Sequence, residues 1–157
     1  MKRLLSALAA SVAVAAPAVA QTPPAPAYGQ PISMEAAQTL IERGVEAARA
    51  RGFRMAFAIV EPNGELVAFA RMDDTQYGSI RVAQRKAWSA ARYRLATLTM
   101  EERTLAGRTV TLANDDSLPI AGGVPILVDG RIVGALGVSG AASLEDHEIA
   151  QAALAAR

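Results

Sequence analysis

Residues 118–141 read LPIAGGVPILVDGRIVGALGVSGA. Two apolar runs within this stretch, Val124 to Val128 and Arg131 to Ser139, are separated by Asp129-Gly130. Asp-Gly is favoured in two-residue tight turns, because both central positions of such a turn need a positive φ. The stretch therefore predicts an antiparallel β-hairpin.

A second hairpin is predicted closer to the N-terminus. Met55 to Glu61 (MAFAIVE) and Glu65 to Arg71 (ELVAFAR) flank Pro62-Asn63-Gly64. Asn-Gly between two apolar runs is the strongest short-range signal for a hairpin. Leu118 to Ala121 is a candidate for one further short strand. Together these segments predict an antiparallel sheet of about five strands.

Helical patterns surround the two hairpins. Ser33 is the predicted N-cap of a first helix, a second helix runs from Ser79 to about Arg94, and a last helix begins at Ser143. The second helix has a stripe of mostly small residues suited to packing on a sheet, and Lys86 borders this stripe. Its three arginines lie on the opposite side: Arg81, Arg85 and Arg92. The predicted fold class is α+β, an antiparallel sheet flanked by helices.

The N-terminus has the pattern of a secretory signal peptide. Lys2 and Arg3 precede an apolar stretch that is too short and too rich in alanine to span a bilayer well. Ala18-Val19-Ala20 supplies a cleavage site, so the predicted signal is residues 1–20 and the mature chain begins at Gln21. Residues 21–32 form a Pro-rich flexible leader, and residues 33–157 form one domain. We expect a periplasmic or secreted protein with no stable membrane insertion after cleavage.

The composition excludes several classes of site. The chain has no Cys and one His, so thiolate chemistry, catalytic triads and multi-histidine metal sites cannot be built from one subunit. Cleavage would remove Lys2 and Arg3 from the 16 Lys and Arg of the chain. The 15 Asp and Glu would then slightly outnumber the basic residues of the mature protein. A nearly neutral mature protein is not expected to bind nucleic acid.

Glycines concentrate in the C-terminal hairpin. Two interpretations of Ala121-Gly122-Gly123 are equally open: successive backbone N–H groups that form an anion-binding nest, or a glycine bulge that redirects a strand. Gly134, Gly137 and Gly140 follow in or just after the last strand. Glycines inside a strand cost stability, and their recurrence indicates the close approach of backbone, ligand or subunit.

Several pieces of the chain resemble a known family when they are taken in order. These are AFAIVEPNGELVAFARMD (56–73), KAWSAAR (86–92), residues 118–141 and the closing ED–IA of residues 145–150. The chain resembles the GlcG/HbpS-like family from about Ser33 to Leu154. The resemblance implies a helix-flanked antiparallel sheet, homo-oligomers, and haem or haem-like ligands in some members. Many relatives have Pro-Thr where this chain has Ala96-Thr97.

The leading functional hypothesis is an exported small-molecule-binding protein for haem or another carboxylate-bearing ring compound. Arg and Lys are natural partners of a ligand carboxylate. The predicted ligand-binding residues are Arg71, Lys86, Gly122, Gly123 and Pro125. The sequence does not choose among the possible axial ligands of a haem iron: Tyr77, Tyr93, Met72, Met100 and His147.

Two alternatives stay open. One is a periplasmic enzyme that acts on a small carbonyl or hydroxy acid with Lys86 or Asp73 as acid/base, since burial can lower the pKa of a lysine toward a catalytic value. The other is a structural or sensory partner in a secreted complex.

Overall fold

The computed structural model describes residues 24–155. The predicted signal peptide and its cleavage site lie outside the described residues. The described elements, in chain order, are α1 (Met34–Ala50), β1 (Ala56–Val60), β2 (Leu66–Arg71), α2 (Gly78–Tyr93), α3 (Thr97–Leu105), a 3-10 helix (Thr109–Ala113), β3 (Gly123–Val128), β4 (Arg131–Ser139) and α4 (Ser143–Ala155). No helix within residues 24–155 is long and apolar enough to cross a membrane.

The four described strands form one antiparallel sheet in the order β2-β1-β4-β3. Both predicted hairpins are confirmed, and the fold class is α+β as the sequence predicts. The candidate fifth strand, Leu118 to Ala121, is a loop instead. Pro119 has no N–H to give to a strand ladder. The N–H of Ala121 donates to the Glu101 side chain rather than to a neighbouring strand.

The two faces of the sheet differ in side-chain size. Alternation along β1 places Phe57 and Ile59 on the face that packs against α1 and α4. Ala56 and Ala58 lie on the other face, against the alanines of α2. A Cβ added at Gly137 of β4 would collide with the backbone of α2. The small residues therefore allow α2 to pack unusually close to the sheet.

The predicted helices are present, with differences at their boundaries. Ser33 caps α1, its hydroxyl accepting from the N–H of Ala36 at 3.2 Å. The N-cap of α2 is Tyr77 rather than Ser79, and its side chain makes no capping hydrogen bond. Helix α3 is not among the helices that the sequence predicts. It has no capping side chain at Ala96, and only Thr97 and Met100 are buried, so no clear amphipathic period marks it.

Residues 26–32, the C-terminal part of the Pro-rich leader, run along β4, and we call this segment the N-terminal strap. Strand β1 pairs with β4 only from Ala135 onward, and the strap covers the part of β4 that β1 leaves unpaired. The N–H of Ile132 donates to Ala27 at 2.9 Å, and the N–H of Gly29 donates to Ile132 at 2.8 Å. Ile32 donates to Val133, also at 2.8 Å. This part of the leader is therefore fixed to the sheet and not a free linker.

Candidate functional site

A buried ion pair lies beside the double glycine. Lys86 of α2 is 1% exposed, and its Nζ lies 2.6 Å from Oδ2 of Asp146 on α4. The same ammonium donates to the carbonyl oxygen of Val138 at 3.1 Å. Helices α2 and α4 pack on opposite faces of the sheet. The Lys86 ammonium meets Asp146 beside Gly122, the residue immediately before β3.

The Asp146 carboxylate is held by backbone groups as well. Its Oδ1 accepts from the N–H groups of Gly140 and Ala141, both at 2.9 Å. Burial raises the pKa of Asp146, and the ammonium of Lys86 opposes this shift. Burial also lowers the pKa of Lys86, opposed by the Asp146 carboxylate. The short distance and the satisfied oxygens fit an ion pair whose main role is to connect the two helices.

The double glycine is explained by close packing around this pair. Gly122 has φ +121°, and a Cβ there would lie 2.6 Å from the carbonyl oxygen of Val138 and 2.9 Å from Nζ of Lys86. A Cβ at Gly123 would collide with the carbonyl group of Lys86. The pairing of β3 with β4 is regular at Gly123, so the glycines do not form the strand bulge that the sequence left open. Close packing against neighbouring backbone and side chains requires them instead.

The N–H groups of this turn point into the protein. Gly123 donates to Oγ1 of Thr97 at 2.8 Å, and Ala121 donates to Oε2 of Glu101 at 2.5 Å. The other oxygen of Glu101 accepts from the hydroxyl of Ser143 at 2.8 Å. Because these two N–H groups already donate to side chains of the protein, they do not form an open anion-binding nest.

Arg71 and Asp73 line a cleft to which Lys86 does not contribute. Arg71 ends β2, at the opposite edge of the sheet from β3. With Asp73 it lines a separate polar cleft of about 620 Å³, together with Arg49 and Arg54. The structure thus does not place Arg71 in one cleft with Lys86 or the double glycine, the other predicted partners of a ligand carboxylate. Lys86 and Asp73 share none of the three clefts described within residues 24–155.

The candidate axial ligands are also scattered. The Arg71 guanidinium lies 5.2 Å from the centre of the Tyr77 ring, and Met72 lines the polar cleft. Tyr93 is exposed and accepts from Asn114 at 2.6 Å. Met100 is buried on α3. No two of these residues line one apolar cavity among the described clefts.

His147 lies on α4, half-buried. Burial lowers the pKa of its imidazole, and the charges of Glu102 and Glu148 oppose this shift. Its Nδ1 has no hydrogen-bond partner among the described residues, and its Nε2 lies 3.4 Å from Nε2 of Gln151. The residue does not line any of the three clefts described for this chain.

A wide groove of about 1150 Å³ lies along the edge strand β3. Its walls come from the strap, the first half of α1, the connection between α2 and α3, and the end of α4. The lining is mostly apolar and includes Ile32, Leu40, Leu95, Val124, Pro125, Ile126, Leu127 and Leu154. Pro125 is the one predicted ligand-binding residue that lines it. The groove itself had no sequence signal, because its walls are far apart in the chain.

Arg94 lines the same groove, at the end of α2. Its backbone is left-handed, with φ 54° and ψ 39°. Glycine is the usual residue in this conformation just beyond a helix, and another residue costs about 1–2 kcal/mol there. The Arg94 guanidinium lies 5.5 Å from the centre of the Tyr28 ring and donates to the carbonyl oxygen of Pro26 at 3.4 Å.

Residues 32–155 match the family described as haem-degrading protein HbpS-like. The chain belongs to the HbpS-like family. It is 36% identical to protein GlcG of Escherichia coli K12 over 108 residues, which cover 69% of this chain and 81% of that protein. The resemblance stated from the sequence is thereby confirmed.

Solved structures support the same assignment to the HbpS-like family. A double mutant of Streptomyces reticuli HbpS is 30% identical with a TM-score of 0.75, covering 90% of this chain and 97% of that one. A PduOC–haem complex is 27% identical with a TM-score of 0.72, covering 80% of this chain and 94% of that one.

Sequence reasoning missed three residues that organise the centre of this HbpS-like domain. Asp146 was not among the predicted site residues, yet it pairs with Lys86. Thr97 and Glu101 hold the glycine turn from α3, a helix that was not predicted. The ED–IA pattern that contributed to the resemblance contains Asp146, and it was the one available signal.

Proposed function

We propose that this protein binds haem, or another flat ring compound with carboxylates, in the groove along β3. The observation that carries the proposal is the groove itself, about 1150 Å³ with a mostly apolar lining. Ligand pockets in proteins typically measure roughly 300–1,000 Å³ and combine apolar walls with a few polar groups. The groove is therefore large enough for a ring of porphyrin size.

Both chemical parts of such a ligand have partners in the groove. The faces of a porphyrin are apolar, and side chains such as Val124, Ile126 and Leu127 offer an apolar surface. Arg43 and Arg94 also line the groove and add positive charge that suits carboxylates. The PduOC–haem complex, similar in fold to this chain, supports the choice of ligand class.

The groove offers an apolar surface to the porphyrin ring but lacks the usual protein ligands for its iron. The described residues that line it include no His, Cys, Met or Tyr, which are the usual protein ligands of haem iron. Affinity should therefore come from the ring and its carboxylates. A bound haem would bring its own iron chemistry, and this chain would supply the apolar surface and the charges that hold the ring.

The enzyme alternative has less support. Lys86 is 1% exposed and occupied by Asp146, so no substrate can reach it without a change in structure. Asp73 lies at the opposite edge of the sheet, in the polar cleft. Of the two acid/base candidates, only Asp73 is open to a substrate in this arrangement.

We propose that the protein acts outside the cytoplasm and as a homo-oligomer. The Lys2-Arg3 start, the apolar stretch and Ala18-Val19-Ala20 support export and cleavage near Ala20. Apolar side chains exposed on α3 and the 3-10 helix, notably Leu105, Val110 and Leu112, support contact with a second copy. Intact mass of the exported protein tests the first point: it should begin at Gln21.

A pair of matched variants tests the groove. Leu127 on edge strand β3 is 54% exposed, and Leu66 on edge strand β2 is 50% exposed. Leu127→Glu places a charge in the apolar lining and should weaken protoporphyrin IX binding by at least about tenfold. Leu66→Glu should bind as the wild type does. Equal binding by the two variants would show that the ring binds elsewhere.

A further inference from the structure

The N-terminal strap is both a wall of the groove and a support for Arg94. Pro26, Pro31 and Ile32 line the groove. Three backbone hydrogen bonds, made by Ala27, Gly29 and Ile32, fix the strap to β4. The strap lies only a few residues after the predicted mature N-terminus, in a segment that composition alone would assign to a flexible leader.

Tyr28 connects the strap to the end of α2. Its hydroxyl hydrogen is shared between the carbonyl oxygens of Ala91 at 3.1 Å and Arg92 at 3.0 Å. These carbonyls belong to the last turn of α2, and that of Ala91 also accepts from the backbone N–H of Arg94 at 3.3 Å. The Tyr28 ring lies beneath the guanidinium of Arg94, 5.5 Å from ring centre to Cζ. The strap therefore contacts Arg94 through both its backbone, at Pro26, and this ring.

The conformation of Arg94 suggests that its side chain is needed. Glycine would adopt the same left-handed backbone without strain. Arginine is present instead, and its guanidinium lies at the groove, held against the strap. A non-glycine residue kept in a strained conformation often marks a functional position.

We propose that Arg94 binds a carboxylate of the ligand and that Tyr28, as a positioning residue, holds Arg94 in place for it. This inference rests on the proposed function. It makes the segment just after the signal peptide part of the binding site. The ligand class it selects is a flat ring with an acidic substituent at its edge, rather than any apolar compound of similar size.

Arg94→Gly separates binding from folding. Glycine relieves the left-handed strain, so the unfolding midpoint in urea should stay the same or rise. Affinity for protoporphyrin IX should fall by about tenfold, the loss expected for a charge-assisted hydrogen bond. The affinity of the wild type should also fall as NaCl is raised, and that of the variant should change little. Arg81→Gln, an exposed arginine elsewhere on α2, is the matched control and should leave binding unchanged.

The positioning role of Tyr28 is tested by a double-variant cycle. Tyr28→Ala should weaken protoporphyrin IX binding and flatten its salt dependence, as Arg94→Gly does. If Tyr28 acts through Arg94, the double variant should bind no more weakly than Arg94→Gly alone. Amide hydrogen exchange gives a readout without ligand, since Tyr28→Ala should speed exchange at Gly29 and Ile32.

The outcomes distinguish this inference from the proposed function. A wild type that does not bind protoporphyrin IX contradicts the proposed function and the inference with it. Normal binding by the wild type together with unchanged binding by Arg94→Gly contradicts only the carboxylate contact. Additive losses in the double variant contradict the positioning role of Tyr28.

Discussion

The ammonium of Lys86 lies 2.6 Å from the carboxylate of Asp146, with both groups almost fully buried. The pair joins two helices on opposite faces of the sheet. A Cβ at Gly122 would meet the carbonyl oxygen of Val138 first, and then Cβ of Asp146 and Nζ of Lys86. The other oxygen of the Asp146 carboxylate accepts hydrogen bonds from the N–H groups of Gly140 and Ala141. Thus the glycine-rich strands and the buried Lys86 form a single structural unit beside the groove.

Removing the ammonium should destabilise the domain strongly. Lys86→Met leaves a buried carboxylate without its charge partner, which costs about 3–5 kcal/mol. Urea unfolding of the two proteins measures the difference. Arg81→Met, on the exposed side of the same helix, should change stability by less than about 0.5 kcal/mol.

A second substitution checks the cause of that loss. Asp146→Asn keeps an oxygen that can accept from Gly140 and Ala141 but removes the negative charge. Added to Lys86→Met, it should recover part of the lost stability. A single Lys86→Met variant as stable as the wild type would contradict the role assigned to the pair.

The glycines of this unit should differ sharply in their tolerance of a methyl group. Gly123→Ala drives a Cβ into the backbone of Lys86 and should cost at least about 2 kcal/mol. Gly78 at the start of α2 has open space around it and no positive φ. Gly78→Ala should be neutral or stabilise by up to about 1 kcal/mol. The change in unfolding temperature of each variant measures this difference. Equal changes for Gly123→Ala and Gly78→Ala would argue against close packing at Gly123.

Local signals explain which parts of the fold could be predicted. Asn63-Gly64 and Asp129-Gly130 specify their hairpins through turn chemistry alone, and both hairpins are present. Helix α3 was missed because its contacts are made by single side chains rather than by an apolar stripe. It contributes Thr97 and Glu101, so the environment of the glycine turn could not be predicted either.

Contacts between distant residues explain what the sequence left open. Helical geometry placed Lys86 at the edge of the α2 stripe, but its partner lies 60 residues further along the chain. Without that partner a buried lysine would be implausible. The groove likewise depends on the strap reaching β4, and proline-rich composition gives no indication of such a contact.

His147 should make stability depend on pH. Burial lowers the pKa of its imidazole in the folded state, so the unfolded chain binds the proton more readily. The folded state should therefore lose stability as pH falls below about 6.5, the ordinary value, until the lower folded pKa is passed. His147→Gln should remove this contribution. Denaturant unfolding at a series of pH values, compared between the two proteins, tests it; identical profiles would contradict a lowered pKa.

The mature domain should associate with itself. Val110 is 67% exposed and Leu112 is 61% exposed, within a short 3-10 helix that has no buried residue. Contact with a second copy would remove such apolar surface from water. Light scattering at micromolar concentration should give a mass above that of one chain, and Val110→Glu should lower it. A monomer mass for the wild type would contradict the oligomer.

Parallel titrations with haem and with iron-free protoporphyrin IX test the central claim most directly. The groove provides apolar surface and arginine charge but none of the usual iron ligands among its described residues. The two dissociation constants, followed by Soret absorbance and porphyrin fluorescence, should therefore agree within about threefold. Binding of haem alone, or of neither compound, would contradict the account.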